Sequence, residues 1–318
     1  MKVFITGGSG FVGSSLIRLL KKANIPYINF DKQCSEIDRF NFKGDITSIS
    51  DLRAGIKDCN LIVHLAAEHR DDVSPISLYD QVNIQGTMNI CKIASERNID
   101  KIIFTSSVAV YGFADDNCDE SGRINYFNDY GRTKYGAEKV LDNWFCENKN
   151  LRDLTIIRPT VIFGPENRGN VYNLIKQIAS SRFMMIGAGK NYKSLAYVEN
   201  VAAFILKMIE TYQPGNDTYN YADSPDFNMN DLVYTIRKTL KKQTNHMIRI
   251  PYLIGICGGM LFDVIAKISG RKLPISSIRI KKFCMSTSFS SNKMRIIFEP
   301  PHELEASLIK TIQSEFPN

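Results

Sequence analysis

Thr6-Gly7-Gly8-Ser9-Gly10-Phe11-Val12-Gly13 follows the short apolar run Val3-Phe4-Ile5, which reads as a buried strand. It leads into Phe11 to Lys22, where apolar residues recur at helical spacing. The order is strand, glycine turn, helix. Glycines there adopt backbone angles closed to other residues and let the chain approach a pyrophosphate, which the helix N-terminus holds through its free N–H groups and positive dipole end. A second strand, Tyr27-Ile28-Asn29-Phe30, ends at Asp31, eighteen residues after Gly13. That is close to the spacing at which an acid accepts hydrogen bonds from an adenosine ribose, so the segment reads as a dinucleotide-binding βαβ unit. Asp31 repels a 2′-phosphate and favours NAD over NADP, a preference tempered by Lys32 beside it.

With 318 residues, 44% of them hydrophobic, the chain can bury a large core in one large domain or two intimately joined ones. The first strand begins almost at Met1, with no basic segment, apolar stretch and cleavage site before it, so a cytoplasmic protein is expected. Seven cysteines, odd in number and without a CxxC pair, read as free thiols, and four scattered histidines give no metal spacing. No metal is expected. The charge is local: between Asp231 and Lys282 stand eleven Lys or Arg against two acids, a net +9, which leaves −2 for the rest of the +7 chain. No nucleic-acid recognition motif accompanies that charge, so nucleic acid is not an expected partner.

Beyond the first unit, Phe40 to Asp45 reads as a short strand ending in an acid, and Leu61 to Ala67 as a buried strand running into small residues. Val82 to Glu96 has helical spacing, Lys101 to Ser106 is the next strand, Asp129 to Phe145 a long helix, and Leu154 to Pro159 another strand. This alternation predicts an α/β fold with a doubly wound parallel sheet of the Rossmann type. Residues 1–165 are expected to bind the dinucleotide, with a return to that unit near 195–222. Residues 166–318 are expected to form mainly a smaller substrate domain, interleaved with the first.

Tyr130 and Lys134 are four apart and share one face of the long helix. An ammonium near a phenol favours the phenolate, so the pair is expected to lower the Tyr130 pKa and make it a usable base. A surface pair is the alternative. Thr105 to Gly112 argues against it, because this stretch stands at the end of the preceding strand, where ligands bind in open α/β sheets.

These residues together resemble the extended short-chain dehydrogenase/reductase family, in its sugar epimerase and dehydratase branch, over nearly the whole chain. The resemblance rests on Gly7, Gly10 and Gly13, Asp31, Asp45-Ile46, His64-Leu65-Ala66-Ala67, Asn83 with Gly86-Thr87, Ser107, and Tyr130 with Lys134. It implies that Gly7, Gly10, Phe11, Val12, Gly13, Asp31, Asp45, Ile46, Leu65, Ala66, Ala67, Asn83, Tyr130 and Lys134 contact NAD. It also implies that Ser107 hydrogen-bonds the sugar hydroxyl, Tyr130 is the acid/base and Lys134 binds the nicotinamide ribose. Dehydratases of the branch carry an acid just after the Ser107 position. Here Val108 and Ala109 follow, so C4 epimerisation is expected rather than dehydration.

Three further segments, Ala66 to Pro75, Arg168 to Asn173 and Gly187 to Ser194, resemble those epimerases of the branch that act on N-acetylglucosamine carried by undecaprenyl diphosphate, a step toward surface polysaccharide. A UDP-sugar 4-epimerase and an NAD(P)-dependent 4-ketosugar reductase stay open as alternatives. Lys193 stands where the family often has an arginine on the diphosphate, and Asn170 lies in the second segment. His69 and Arg70 carry two readings, sugar or phosphate contacts or a solvated charge cluster. The resemblance further implies a homodimer through sheet-side helices. Ile250 to Phe262 is uncharged and flanked by Lys241, Lys242, Arg249, Lys267, Arg271 and Lys272. It reads first as a core helix with solvated lysines around it. A peripheral contact with an anionic membrane surface, at the inner face of the cell membrane, is the alternative reading, and the resemblance brings the two level.

Overall fold

Alternate residues of each central strand point to opposite faces, and both faces are apolar. Val3, Ile5, Val63 and Ile103 face one helical layer, while Phe4, Ile62, Ile102 and Phe104 face the other. The structure is a computed structural model that describes residues 1–33, 41–70, 73–114, 116–211, 214–244, 248–269 and 276–317. Cys34, Phe40, Asp71, Asp72, Arg271 and Lys272 lie outside the described residues.

The strands are β1 (Val3–Thr6), β2 (Tyr27–Asp31), β3 (Asn41–Lys43), β4 (Leu61–His64), β5 (Lys101–Thr105), β6 (Asp153–Pro159), β7 (Val161–Phe163), β8 (Met185–Ile186), β9 (Tyr192–Tyr197), β10 (Gly215–Tyr221), β11 (Asp223–Asn228) and β12 (Arg249–Ile250). The helices are α1 (Phe11–Lys22), α2 (Ile49–Gly55), α3 (Ser77–Tyr79), α4 (Gly86–Glu96), α5 (Asp129–Glu147), α6 (Asn170–Ala179), α7 (Val198–Glu210), α8 (Met229–Thr239), α9 (Tyr252–Ser269), α10 (Ser277–Cys284), α11 (Asn292–Arg295) and α12 (Leu304–Glu315).

Seven strands form a parallel sheet in the order β10-β6-β5-β4-β1-β2-β3. The order reverses at β1 and β4, and in such sheets the crevice at that point, beyond the carboxyl ends of the strands, receives the ligand. Helices α1 and α7 cover one face through Leu16, Ile17, Leu20, Val201, Phe204 and Ile205. The other face is covered by α2, α4 and α5 through Leu52, Ile90, Ile93, Leu141 and Trp144. A second sheet, β11-β9-β7, packs with α6, α8 and α12 around Phe163, Leu195, Leu232, Ile236 and Leu308.

Several expected elements shift at their ends. The strand read to Ala67 stops at His64, and the helix read from Val82 starts at Ser77 and carries a π-helical turn over Asp80–Gln85. The core reading of Ile250 to Phe262 fails. Only Gly255 and Gly259 of α9 are buried, whereas Leu253, Leu261 and Ile268 are 73%, 61% and 82% exposed.

Candidate active site

The glycine turn is built for close approach. Gly7 sits at φ +73°, and a Cβ there would lie 2.7 Å from the Ala66 backbone. A Cβ on Gly13 would meet Gly8 Cα at 2.5 Å, so α1 begins tight against the turn. Gly10 caps α1 without a side chain, and no acid stands in the first turn. The N–H groups of that helix end therefore stay available to an anion. Phe11 and Val12, half-buried, form the first turn itself.

Asp31 closes this cradle from the end of β2. Its Oδ2 accepts from Ser9 N at 3.0 Å and its Oδ1 from Gln33 N at 3.0 Å. Buried Asn29, which sequence reasoning passed over, holds the same loop by donating to Ser9 Oγ at 3.2 Å. Lys32 lies 3.3 Å from Asp45 Oδ2 in a surface ion pair beside Asp31. Burial alone would raise the Asp45 pKa, but hydrogen bonds from Thr47 and the Lys32 charge outweigh it and hold the carboxyl below its ordinary value.

Ile46 is buried against Gly86, and its carbonyl accepts from Asn89 Nδ2 at 2.9 Å. Leu65, Ala66 and Ala67 run half-buried from the end of β4 beside the turn, with Leu65 N donating to Thr6 O at 3.0 Å. Asn83, in the π turn, accepts from Glu68 N at 2.8 Å and donates to Thr133 Oγ1 on α5 at 2.9 Å. It thus ties the loop after β4 to the helix bearing Tyr130 and Lys134. The extra residue of a π turn re-aims side chains, and such turns are frequent at functional sites.

Asn128 caps α5 by accepting from Gly131 N at 2.9 Å. A Cβ on Gly131 would lie 2.5 Å from Ala109 O, so this glycine lets α5 seat against the short turn Val108–Val110 that Ser107 caps. Ser107 Oγ accepts from Ala109 N at 3.1 Å, and its hydroxyl lies near enough to the Tyr130 oxygen to favour the phenolate. Ser107 and Tyr130 thus meet as expected from the sequence. The expected lowering of the Tyr130 pKa is not found: burial pushes the phenol up to about 12, against a smaller opposing effect of the Ser107 hydrogen bond. Lys134 is 2% exposed, with Nζ 4.1 Å from the Phe104 ring centroid. Burial brings its pKa down to about 7, although the Glu138 charge opposes this, so near neutral pH it is only partly a cation.

Sequence reasoning also missed a buried network beneath the pair. Arg158 on β6 donates to both Glu138 oxygens at 2.9 and 2.6 Å and to the Tyr111 oxygen at 2.7 Å, and Tyr111 donates to Asn220 at 2.8 Å. The available signal was Arg158 itself, a charge inside a fully buried strand that requires a partner.

The expected substrate contacts are more dispersed. His69 and Arg70 are exposed after β4, with Arg70 3.5 Å from Glu68, and Asn170 is exposed at the start of α6. Lys193 on β9 donates to the carbonyls of Lys282 and Met285 at 2.9 and 2.6 Å, and burial lowers its pKa to about 8.

A model of the NAD dependent epimerase/dehydratase family matches residues 3–222. The N-acetyl-alpha-D-glucosaminyl-diphospho-ditrans,octacis-undecaprenol 4-epimerase of Escherichia coli O157:H7 is 46% identical over 321 residues, covering 99% of this chain and 95% of that protein. Among solved structures, UDP-glucose 4-epimerase of Thermotoga maritima superposes with a TM-score of 0.78 at 19% identity, over 99% of this chain and 98% of that one. UDP-glucuronic acid 4-epimerase of Bacillus cereus, solved in complex with NAD, gives 0.75 at 19% identity over the same shares.

Proposed function

The chain belongs to the NAD dependent epimerase/dehydratase family, and from that premise we propose a C4 epimerase that interconverts N-acetylglucosamine and N-acetylgalactosamine on undecaprenyl diphosphate, for surface polysaccharide such as O-antigen. The observation that carries this reading is the 46% identity, sustained over 99% of the chain, to an epimerase named for that substrate.

NAD is the cofactor, and the glycine cradle, the open start of α1 and Asp31 fit it. Bound there, it would supply the acceptor and then the donor of the C4 hydride. Tyr130 takes the proton of the 4-hydroxyl as the hydride leaves and gives it back when the hydride returns. Ser107 hydrogen-bonds the same hydroxyl and holds it toward the phenol. A pKa of about 12 leaves Tyr130 protonated at rest, so it becomes a base only with positive charge beside the ring. Protonated Lys134, one turn along α5, is a source of that charge within this chain, and it also binds the nicotinamide ribose. Val108 and Ala109 offer no acid for eliminating water.

In this reading residues 1–165, with the return near 195–222, hold NAD, and most of 166–318 holds the sugar and diphosphate, with Lys193 on the diphosphate. The enzyme works as a homodimer at the cytoplasmic face of the membrane that contains its carrier. Purified protein offered undecaprenyl-diphospho-N-acetylglucosamine and, separately, UDP-N-acetylglucosamine should release the C4 epimer from the lipid-linked sugar. Conversion of the UDP sugar alone would refute the assignment.

A further inference from the structure

Helix α9 is built inside out for a water-soluble protein. A surface helix normally turns its large apolar residues to the core and its polar residues to solvent. In α9 the packed positions are glycines: a Cβ on Gly255 would lie 2.6 Å from Ile186, and one on Gly259 2.8 Å from Ile280 and 2.9 Å from Ser277. The outward positions are Leu253, Ile254, Met260, Leu261, Val264, Ile265 and Ile268. This apolar surface contributes little to the chain's own core, and an exposed apolar patch of this kind marks an interaction surface.

By length and composition α9 could cross a membrane, but it is fastened along the protein. Besides its two glycine contacts, Asp263 Oδ2 accepts from Ser277 N at 3.1 Å and holds the start of α10 against the middle of the helix. Its surroundings are cationic, with exposed Arg249 just before it, Lys267 near its end, and exposed Arg279 and Lys281 on α10. Apolar residues outward with positive charge at the flanks match the headgroup layer of an anionic bilayer. The same α10 reaches the active-site loop. Lys281 Nζ lies 5.2 Å from the centroid of the Phe113 ring and Lys282 Nζ 4.1 Å from that of Phe127, and the two rings stack 4.9 Å apart. Phe127 directly precedes Asn128, the cap of the helix that carries Tyr130.

We propose that α9 lies in the plane of an anionic membrane surface and that α10 sets the loop leading into the Tyr130 helix beside that surface, where a lipid-borne diphosphate sugar is presented. The docking surface rests on the exposed helix itself. Its purpose rests on the lipid-linked reading above.

The test is flotation of the full-length protein with vesicles of phosphatidylglycerol and phosphatidylethanolamine, compared with pure phosphatidylcholine. Protein should float with the anionic vesicles and be released as salt rises. The double variant Leu261→Glu/Ile265→Glu should bind at least about tenfold more weakly, while keeping its NAD content and its turnover of the lipid-linked sugar in detergent. Failure of the wild type to float, or equal flotation of the variant, overturns the proposal. So does a dimer, seen by light scattering, that the variant dissociates without any vesicle binding, since the face would then join two copies of this chain. Flotation without turnover of either sugar would overturn the lipid-linked function and leave the docking surface standing.

Discussion

Tyr130 and Lys134 are both pushed by burial toward their neutral forms, a residue-scale effect that the four-residue spacing conceals. The spacing places the two on one face, but their surroundings are set by residues distant in sequence: the Phe104 ring packs on Lys134, and Tyr79 raises the Tyr130 pKa further by charge repulsion. Tyr130→Phe keeps the ring and removes only the proton carrier. It should lower kcat by roughly 10²–10⁴-fold, the usual contribution of a positioned acid/base, while bound NAD measured in the purified protein stays at the wild-type level. Epimerisation at the wild-type rate would remove Tyr130 from the mechanism. Lys134 makes a second prediction, this time about stability. Its pKa falls from 10.5 to about 7 on folding, so between those values the unfolded chain holds a proton that the folded chain has lost. Its contribution to stability is therefore complete above pH 10.5 and is lost as the pH falls through about 7. In urea denaturation at pH 7 and pH 9, the wild type should gain stability relative to Lys134→Met at the higher pH. A stability difference that does not change with pH would contradict the burial argument.

At the element scale, the active site depends on how closely α5 approaches the turn after β5. Gly131→Ala places a methyl group about where Ala109 O allows none, at 2.5 Å, and must lift the start of α5 away from Ser107. Because small misplacements of reacting groups cost on the order of 10²-fold, kcat should fall by about that factor. NAD content should fall less than kcat, since the glycine turn and Asp31 lie elsewhere and only the Lys134 contact is carried on α5. A variant with normal kcat would show that the contact is not needed for alignment. Elements set by local signals were legible in the sequence: α1 begins and ends where its glycine turn and helical spacing place it, and β2 ends at Asp31 as read. The meeting of Ser107 with Tyr130 was legible only because parallel topology brings the end of β5 and the start of α5 to one edge. The π turn at Asp80–Gln85 was not, since one extra residue in a helix of ordinary composition leaves the apolar spacing almost unchanged. Nor was the orientation of α9: an apolar run records that water is unfavourable, not whether a core or a membrane replaces it.

On the scale of the whole molecule, the chain leaves the large sheet and returns to it before it is complete. After β6 it leaves for β7, β8 and β9, then returns through α7 and β10 to finish the large sheet before going back to β11. Residues 1–165 therefore contain the whole glycine cradle but neither α7 nor β10. Without α7, the sheet face formed by Val3, Ile5, Val63, Ile103 and Ile157 loses the buried side chains of Val201, Phe204, Ile205, Met208 and Ile209. Burial of each such side chain stabilises by roughly 1.5–3 kcal/mol, so the loss is on the order of 10 kcal/mol. That is comparable to the entire stability of a typical domain, roughly 5–15 kcal/mol. A fragment of residues 1–165 should accordingly fail to unfold cooperatively by circular dichroism and fail to retain NAD. A fragment of residues 1–222, which restores α7 and β10 at the cost of exposing the smaller core around Phe163 and Leu195, should recover measurable helix and sheet. If the shorter fragment folds and binds NAD, the return passage is an addition to a domain that is already complete. If it does not, the cofactor site depends on a segment that the chain reaches only after it has begun to build the sugar site, and the two units fold as one.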